Sequence, residues 1–164
     1  MPSQKHSELV QLGAKWFRRN GFGVIATELR AIGCREEADV IGFRSSCSAI
    51  IEVKISRSDF IADRKKPERL LRIGLGVYRF YLVPSGLLLP QEIPSGWGLL
   101  FEDRGKVTDI IRPRGNIWYG YSPDKSIDEG WRRFQHQANL DAERHILYSI
   151  ARRKQQLRRK SHTT

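Results

Sequence analysis

Asp39, Glu52 and Lys54 are the residues of this chain whose types and spacing suit chemistry. Glu52 and Lys54 stand two apart inside "AIIEVKIS", an apolar, β-branched run with the composition of a strand buried on both faces. Strand alternation turns both side chains toward the same face. Acid-x-base triplets begin at Glu28, Glu52, Asp63 and Glu102, so the triplet alone carries little; only the one at Glu52 interrupts an apolar run. Burying a carboxylate and an amine unassisted is costly, and one way out is a strand end where the two pair or reach solvent. Asp39 supplies another. It lies thirteen residues earlier, near the head of "ADVIGFR", and a hairpin closed by "SSCS" sets position 39 across from residues 52 to 54. Two carboxylates brought together repel unless a cation sits between them, and hard oxygen ligands suit Mg²⁺ or Mn²⁺. Asp39, Glu52 and the Val53 carbonyl are the expected metal ligands. An ion so held lowers the pKa of a bound water and polarises a phosphodiester. Lys54 beside it can orient the nucleophile and stabilise charge developing on the phosphorane. Glu8, one turn into the expected first helix, is a further candidate, for a second ion or its waters; the helix dipole gives an equally good reason for an acid there.

The elements that must position these groups follow from the flanking sequence. "SELVQLGAKWFRRNGF" has helical spacing, with Ser7 as a cap and Asn20-Gly21 as its end. "FGVIATELR", "ADVIGFR" and "AIIEVKIS" read as three successive strands. Ser58 or Asp59 can cap a helix through "DFIADRKKPERLLRIG", which Pro67 divides. "VYRFYLV" is the next strand, and "GWGLLFE" with "VTDIIR" forms a hairpin about "DRGK". Gly, Pro and aromatics in "RPRGNIWYGYSPDK" describe a connection lying against the core. A helical tail then starts at a Ser126/Glu129 capping box, with Asn139 capping its second piece. The expected organisation is an α/β domain over residues 1–115 and an aromatic connection with a basic helical C-terminal extension over 116–164.

Composition narrows the partners. The chain has 164 residues, 40% hydrophobic, enough for one ordinary core. No apolar run approaches the roughly 20 residues of a bilayer span, and "MPSQKHSELV" lacks the apolar stretch of a secretory signal; a cytoplasmic location and no membrane partner are expected. Cys34 and Cys47 have neither zinc nor disulfide spacing and read as buried or half-buried free thiols. A net charge of +11 favours a polyanionic partner such as nucleic acid. Nine Lys or Arg against two acids in residues 132–164 put most of that excess in the tail. Arg57, Arg64, Lys65, Lys66 and Arg69 are candidate phosphate contacts, with local pairing to Asp59, Asp63 and Glu68 as the competing role. Trp97, Trp118, Tyr119 and Tyr121 could stack unpaired bases, although core packing is the commoner fate of such residues.

Helix, three-strand meander bearing Asp then Glu-x-Lys, helix, strand: this order resembles the PD-(D/E)XK nuclease superfamily, with its restriction-endonuclease-like αβββαβ core. The aspartate here follows Ala38 rather than a proline. More narrowly, "EVKISRSDFIADRKKPE", "YRFYLVPSGLLLP" and "GLLFED" resemble the MmcB-like DNA repair proteins, over roughly residues 5 to 113. The resemblance implies a mixed central sheet flanked by helices, with the hairpin and basic extension as additions. It implies a Mg²⁺- or Mn²⁺-dependent deoxyribonuclease of repair or phage/mobile-element type. DNA is the expected partner; the sequence leaves RNA and a homodimer open. The same fold also serves noncatalytic nucleic-acid-binding proteins, which is the alternative.

Overall fold

The computed structural model describes residues 2–30, 35–70, 74–124 and 126–162. Helix α1 (Gln4–Arg19) starts ahead of the expected Ser7 cap, because Ser3 Oγ already accepts the His6 N–H at 3.2 Å. It ends at Asn20, and Gly21 follows with a φ of 82°. Strands β1 (Val24–Thr27), β2 (Val40–Phe43) and β3 (Ser48–Val53) form the expected antiparallel meander. The β2–β3 turn closes through Arg44 N–H to the Cys47 carbonyl at 2.8 Å. Helix α2 (Arg57–Arg64) is capped by Ser56 rather than by Ser58 or Asp59, since Ser56 Oγ takes the Asp59 N–H at 3.2 Å. Helix α3 (Pro67–Leu70) begins on Pro67, at the position where a missing N–H costs nothing.

Strand β4 (Tyr78–Pro84) runs parallel to β3, and β5 (Trp97–Asp103) runs parallel to β4 after a short 3₁₀ turn at Pro90–Glu92. Strand β6 (Lys106–Ile111) returns antiparallel about Arg104 and Gly105, both at positive φ. The six strands lie in the sheet in the order in which they occur along the chain. The fold is mixed α/β, a six-stranded mixed sheet with helices packed against it. Helix α4 (Glu129–Arg132) is one turn capped by Asp128, not by Ser126, and α5 (Leu140–Ser161) is capped by Asn139 as expected.

Two cores sandwich the sheet. Helix α1 lays Leu9, Val10, Trp16 and Phe17 on Val40, Ile51, Phe80 and Leu82. Within the sheet, the Phe80 ring of β4 lies over Gly98 of β5, where a Cβ would sit 2.2 Å from the ring. The other face packs Ile41, Ile50, Phe60, Tyr81 and Leu99 with Ala142 and Ile146 of α5. Trp118 and Trp131 belong to the α1-side core, Trp118 with no exposed surface. A division at residue 115 therefore separates no independent core: Trp118 and Trp131 make the connection part of the domain, whereas every described residue of α5 beyond Ile150 is exposed. Cys47 is buried and free, its thiol pushed up to about 11 mainly by burial. Cys34 lies outside the described residues.

Candidate functional site

The pairing of β2 with β3 matches Val40 to Ile51, so one step further Asp39 stands opposite Glu52. Asp39 Oδ2 accepts the Val53 N–H at 2.7 Å, which ties the carboxylate to the end of β3. The expected contact at Val53 was its carbonyl; the one observed there is made by its N–H. Glu52 and Lys54 point to the same face, and both are buried, Glu52 only 2% exposed. Lys54 Nζ lies 3.4 Å from Glu52 Oε2. The sheet end thus brings Asp39, Glu52, Val53 and Lys54 together as the hairpin count requires.

Helix α1 contributes His6, not Glu8. With the helix started at Ser3, His6 falls in its first turn and sets Nε2 3.4 Å from Asp39 Oδ1 and Nδ1 3.9 Å from Glu28 Oε1. Glu8 is exposed and accepts a hydrogen bond from Gln4 on its own helix. Glu28 follows β1 in left-handed backbone, φ 48°, a conformation uncommon for a residue with a Cβ. Its N–H reaches the Asp39 carbonyl at 3.0 Å. His6, Glu28 and Asp39 offer one ligand atom each, all within 4.8 Å of one another. His6 Nδ1 is buried with no hydrogen-bond partner.

Behind this mouth is a network of buried charges that extends well beyond the local pairs readable from the sequence. Asp63 of α2, 1% exposed, lies 3.2 Å from Lys54 Nζ and 3.0 Å from Lys66 Nζ, and accepts from the Tyr81 hydroxyl at 2.8 Å. Arg69 reaches Asp63 at 3.1 Å, Glu52 at 3.2 Å and Glu36 at 2.5 Å, and its guanidinium lies 4.9 Å from the Trp97 ring centroid. Burial pushes the Glu52 carboxyl up to about 7; Lys54 and Arg69 pull it down, and Asp39 and Asp63 add to the push. Burial would raise Asp63 too, but Lys54 and Arg69 overcome it and hold that carboxyl below the usual range. For Lys54 burial works against the charge, and Glu52, Asp63 and Asp39 reverse the sign, leaving its pKa raised.

The expected phosphate contacts divide. Arg64 and Lys65 are exposed on α2 and its end. Lys66 is half-exposed and paired to Asp63. Arg57 pairs with Glu92 of the 3₁₀ turn. Arg69 takes the competing role, pairing with Asp63, and goes beyond it: Glu36 and Glu52 also hold its guanidinium, which is buried in the network rather than free for phosphate. Among the aromatics, Trp118 is core, Trp97 is stacked on Tyr81 at 4.4 Å, and Tyr121 remains exposed.

No protein-family model and no curated protein matches this sequence. Among solved structures, the chain is similar to the SPO1766 protein of unknown function from Silicibacter pomeroyi, at 26% identity and a TM-score of 0.59. The match covers 96% of this chain and 94% of that one.

Proposed function

We propose that the chain is a metal-dependent DNA nuclease acting through Asp39, Glu52 and Lys54. The observation that carries this reading is the convergence of an aspartate, a buried glutamate and a buried lysine at one end of adjacent strands, with Asp39 opposite Glu52. The residues present fit a divalent ion: the His6–Glu28–Asp39 ligand atoms are mutually close, and the buried His6 Nδ1 has a lone pair or proton without a partner. Asp39 and Glu28 would hold the ion with His6; of the ligands expected from the sequence only Asp39 belongs to this group, because Glu52 is turned to Lys54 and Arg69 and Val53 offers its N–H to Asp39. When bound, a divalent ion supplies a more acidic water and a polarised phosphate. Lys54 keeps its ammonium charged through Glu52 and Asp63, which suits it to stabilise negative charge gathering on phosphate oxygens. The exposed Arg64 and Lys65 would hold the strand backbone without reading sequence. The resemblance to PD-(D/E)XK nucleases of repair type supports the same reading.

A second reading, a nucleic-acid-binding protein that retains the fold without cleaving, is favoured by one specific observation. Glu52 is already engaged by Lys54 and Arg69, so the buried acids have protein cations as partners. Incubating supercoiled, single-stranded and branched DNA with the protein in Mg²⁺, Mn²⁺ or chelator separates the two. Nicking or degradation that needs the ion and falls by about a hundredfold or more in both Asp39→Ala and Lys54→Ala, with DNA binding kept, is expected of the nuclease. DNA retention in a gel with no cleavage under any ion would leave the binding protein.

A further inference from the structure

On the sheet face opposite α1, Arg79 of β4 is 3% exposed, and its alternation partner Tyr81 reaches Asp63. Its Nε donates to the Gly76 carbonyl at 3.1 Å, but Nη2 is buried with no hydrogen-bond partner. A guanidinium carries five donors in a fixed fork, and leaving one unmet in a dry interior is costly. Arg79 lines a cavity of about 660 Å³, and the side chains of Arg69 and Arg133 line it as well. The acids that face Arg79 are already engaged. Glu36 accepts from Arg69 at 2.5 Å and from the Leu75 N–H at 2.6 Å; Glu143 accepts from Ser48 Oγ at 2.6 Å and the Gly76 N–H at 2.9 Å. Burial works against the charge on Arg79 most strongly and Arg69 adds to it; Glu36 and Glu143 offset this only in part, leaving the pKa lowered.

The walls are held by hydrogen bonds rather than by loose packing. The His136 N–H donates to the Val77 carbonyl at 2.7 Å, and the His136 ring is 2.8 Å from the Gly96 carbonyl. The Asn139 N–H donates to the Gly74 carbonyl at 2.8 Å. The segment after α4 is thereby pinned to the approaches of β4 and β5, and the cavity keeps its shape. Trp97 is already engaged by the stacked Tyr81 ring and by the Arg69 guanidinium, while Tyr121 on the lining is exposed.

We propose that this cavity binds a phosphate monoester of a nucleotide, either free or at the end of a nucleic-acid strand. A dianion satisfies the open donor of Arg79 and is bidentate-compatible with Arg133. The volume lies within the range of small-ligand sites and exceeds what an inorganic ion needs. Tyr121 offers the aromatic surface for a base. Arg69 joins this cavity to the Glu52 network, so an anion here is sensed beside the candidate nuclease site. The inference does not rest on hydrolysis.

The test is calorimetric titration of the full chain in chelator, where no metal-dependent cleavage can interfere. The probes are dAMP, deoxyadenosine, and one DNA strand with either a 5′-phosphate or a 5′-hydroxyl. Saturable binding of dAMP with none of deoxyadenosine is expected. Arg133→Gln, which alters an exposed side chain, and Arg79→Lys should each weaken dAMP by roughly tenfold to a hundredfold. If the strand end is the source, the phosphorylated strand binds at least about tenfold tighter than its hydroxyl twin; equal strand affinities with dAMP binding retained assign the site to the free nucleotide. Equal responses to dAMP and deoxyadenosine, or an unchanged dAMP affinity in folded Arg133→Gln, would overturn the proposal.

Discussion

The two faces of the sheet are equally buried and chemically unlike. Toward α1, Trp16, Phe17, Phe22, Phe80 and Trp118 meet ring to ring at centroid distances from 4.8 to 6.2 Å, with apolar residues between them. On the opposite face the strands contribute Glu52 and Arg79 among their apolar residues, and Glu36, Asp63, Arg69 and Glu143 close over them. The first face holds together mainly by removing apolar surface from water, which depends on shape rather than pH, with the Lys5–Glu102 pair at its edge. The second holds only while each charge keeps its partner, since desolvation in an ion network can equal or exceed the attraction. A protein that needed stability alone would gain as much from a second apolar face. Buried charges at a strand end are the arrangement expected where the group has a task.

The sharpest way to break this contrast is at Asp63. Asp63→Asn leaves Lys54 and Arg69 short of a counter-charge and should cost about 3–5 kcal/mol in urea unfolding near neutral pH. Because the Asp63 carboxyl is held below its usual range, its contribution is full above the unfolded-state pKa and fades as pH falls through the folded one. The loss should therefore shrink in acid.

Glu52 runs the other way. Its carboxyl is pushed up from 4.5 to about 7, so between those values the folded chain holds a proton that the unfolded chain has released, and stability falls as pH rises. Replacing it by Gln removes that slope. The difference in unfolding free energy between Glu52→Gln and the parent should move in the variant's favour by about 3 kcal/mol from acid to mildly alkaline pH, at 1.36 kcal/mol per unit. A flat difference across that range would mean that Glu52 is ionised throughout.

The smallest effect belongs to the apolar face. Leu82 has no exposed surface, and a volume-conserving Leu82→Met should cost less than about 1.5 kcal/mol, by the same amount at every pH. A pH-dependent loss there would show that the two faces are coupled through β4.

What could be read from the residues was local and periodic. The hairpin count put Asp39 opposite Glu52, and alternation put Lys54 beside it, because both depend only on strand geometry. Pro67 divided the helix as its ring demands. His6 was missed because Ser3 and Ser7 are equally good caps, and the choice between them decides which side chain occupies the first turn. Asp63 had a signal that went unused: it stands three residues after Phe60, on the same helical face, and both are buried. The pairing of Arg69 with Asp63 was among the local alternatives, but its contacts with Glu36 and Glu52, and the burial of Glu36 and Arg79, gave no signal. Their burial comes from contacts between segments far apart in sequence, and a basic helix facing water has the same composition as one facing an acid.

Strand order has a kinetic consequence. Since each strand lies beside the next in sequence, the β2–β3 and β5–β6 hairpins close over residues 44–47 and 104–105. Loops this short lose little entropy on closing, whereas the parallel joint between β3 and β4 must first span residues 54–77. Pulse-labelled hydrogen exchange should show amide protection in the two hairpins before it appears across that joint. Glu52 and Lys54 stand on one side of the joint and Tyr81 on the other, with Asp63 in the segment that crosses it. A half-folded chain thus has its hairpins and no assembled charge network, so the buried cluster of Glu52, Lys54, Asp63 and Arg69 exists only in the completed fold.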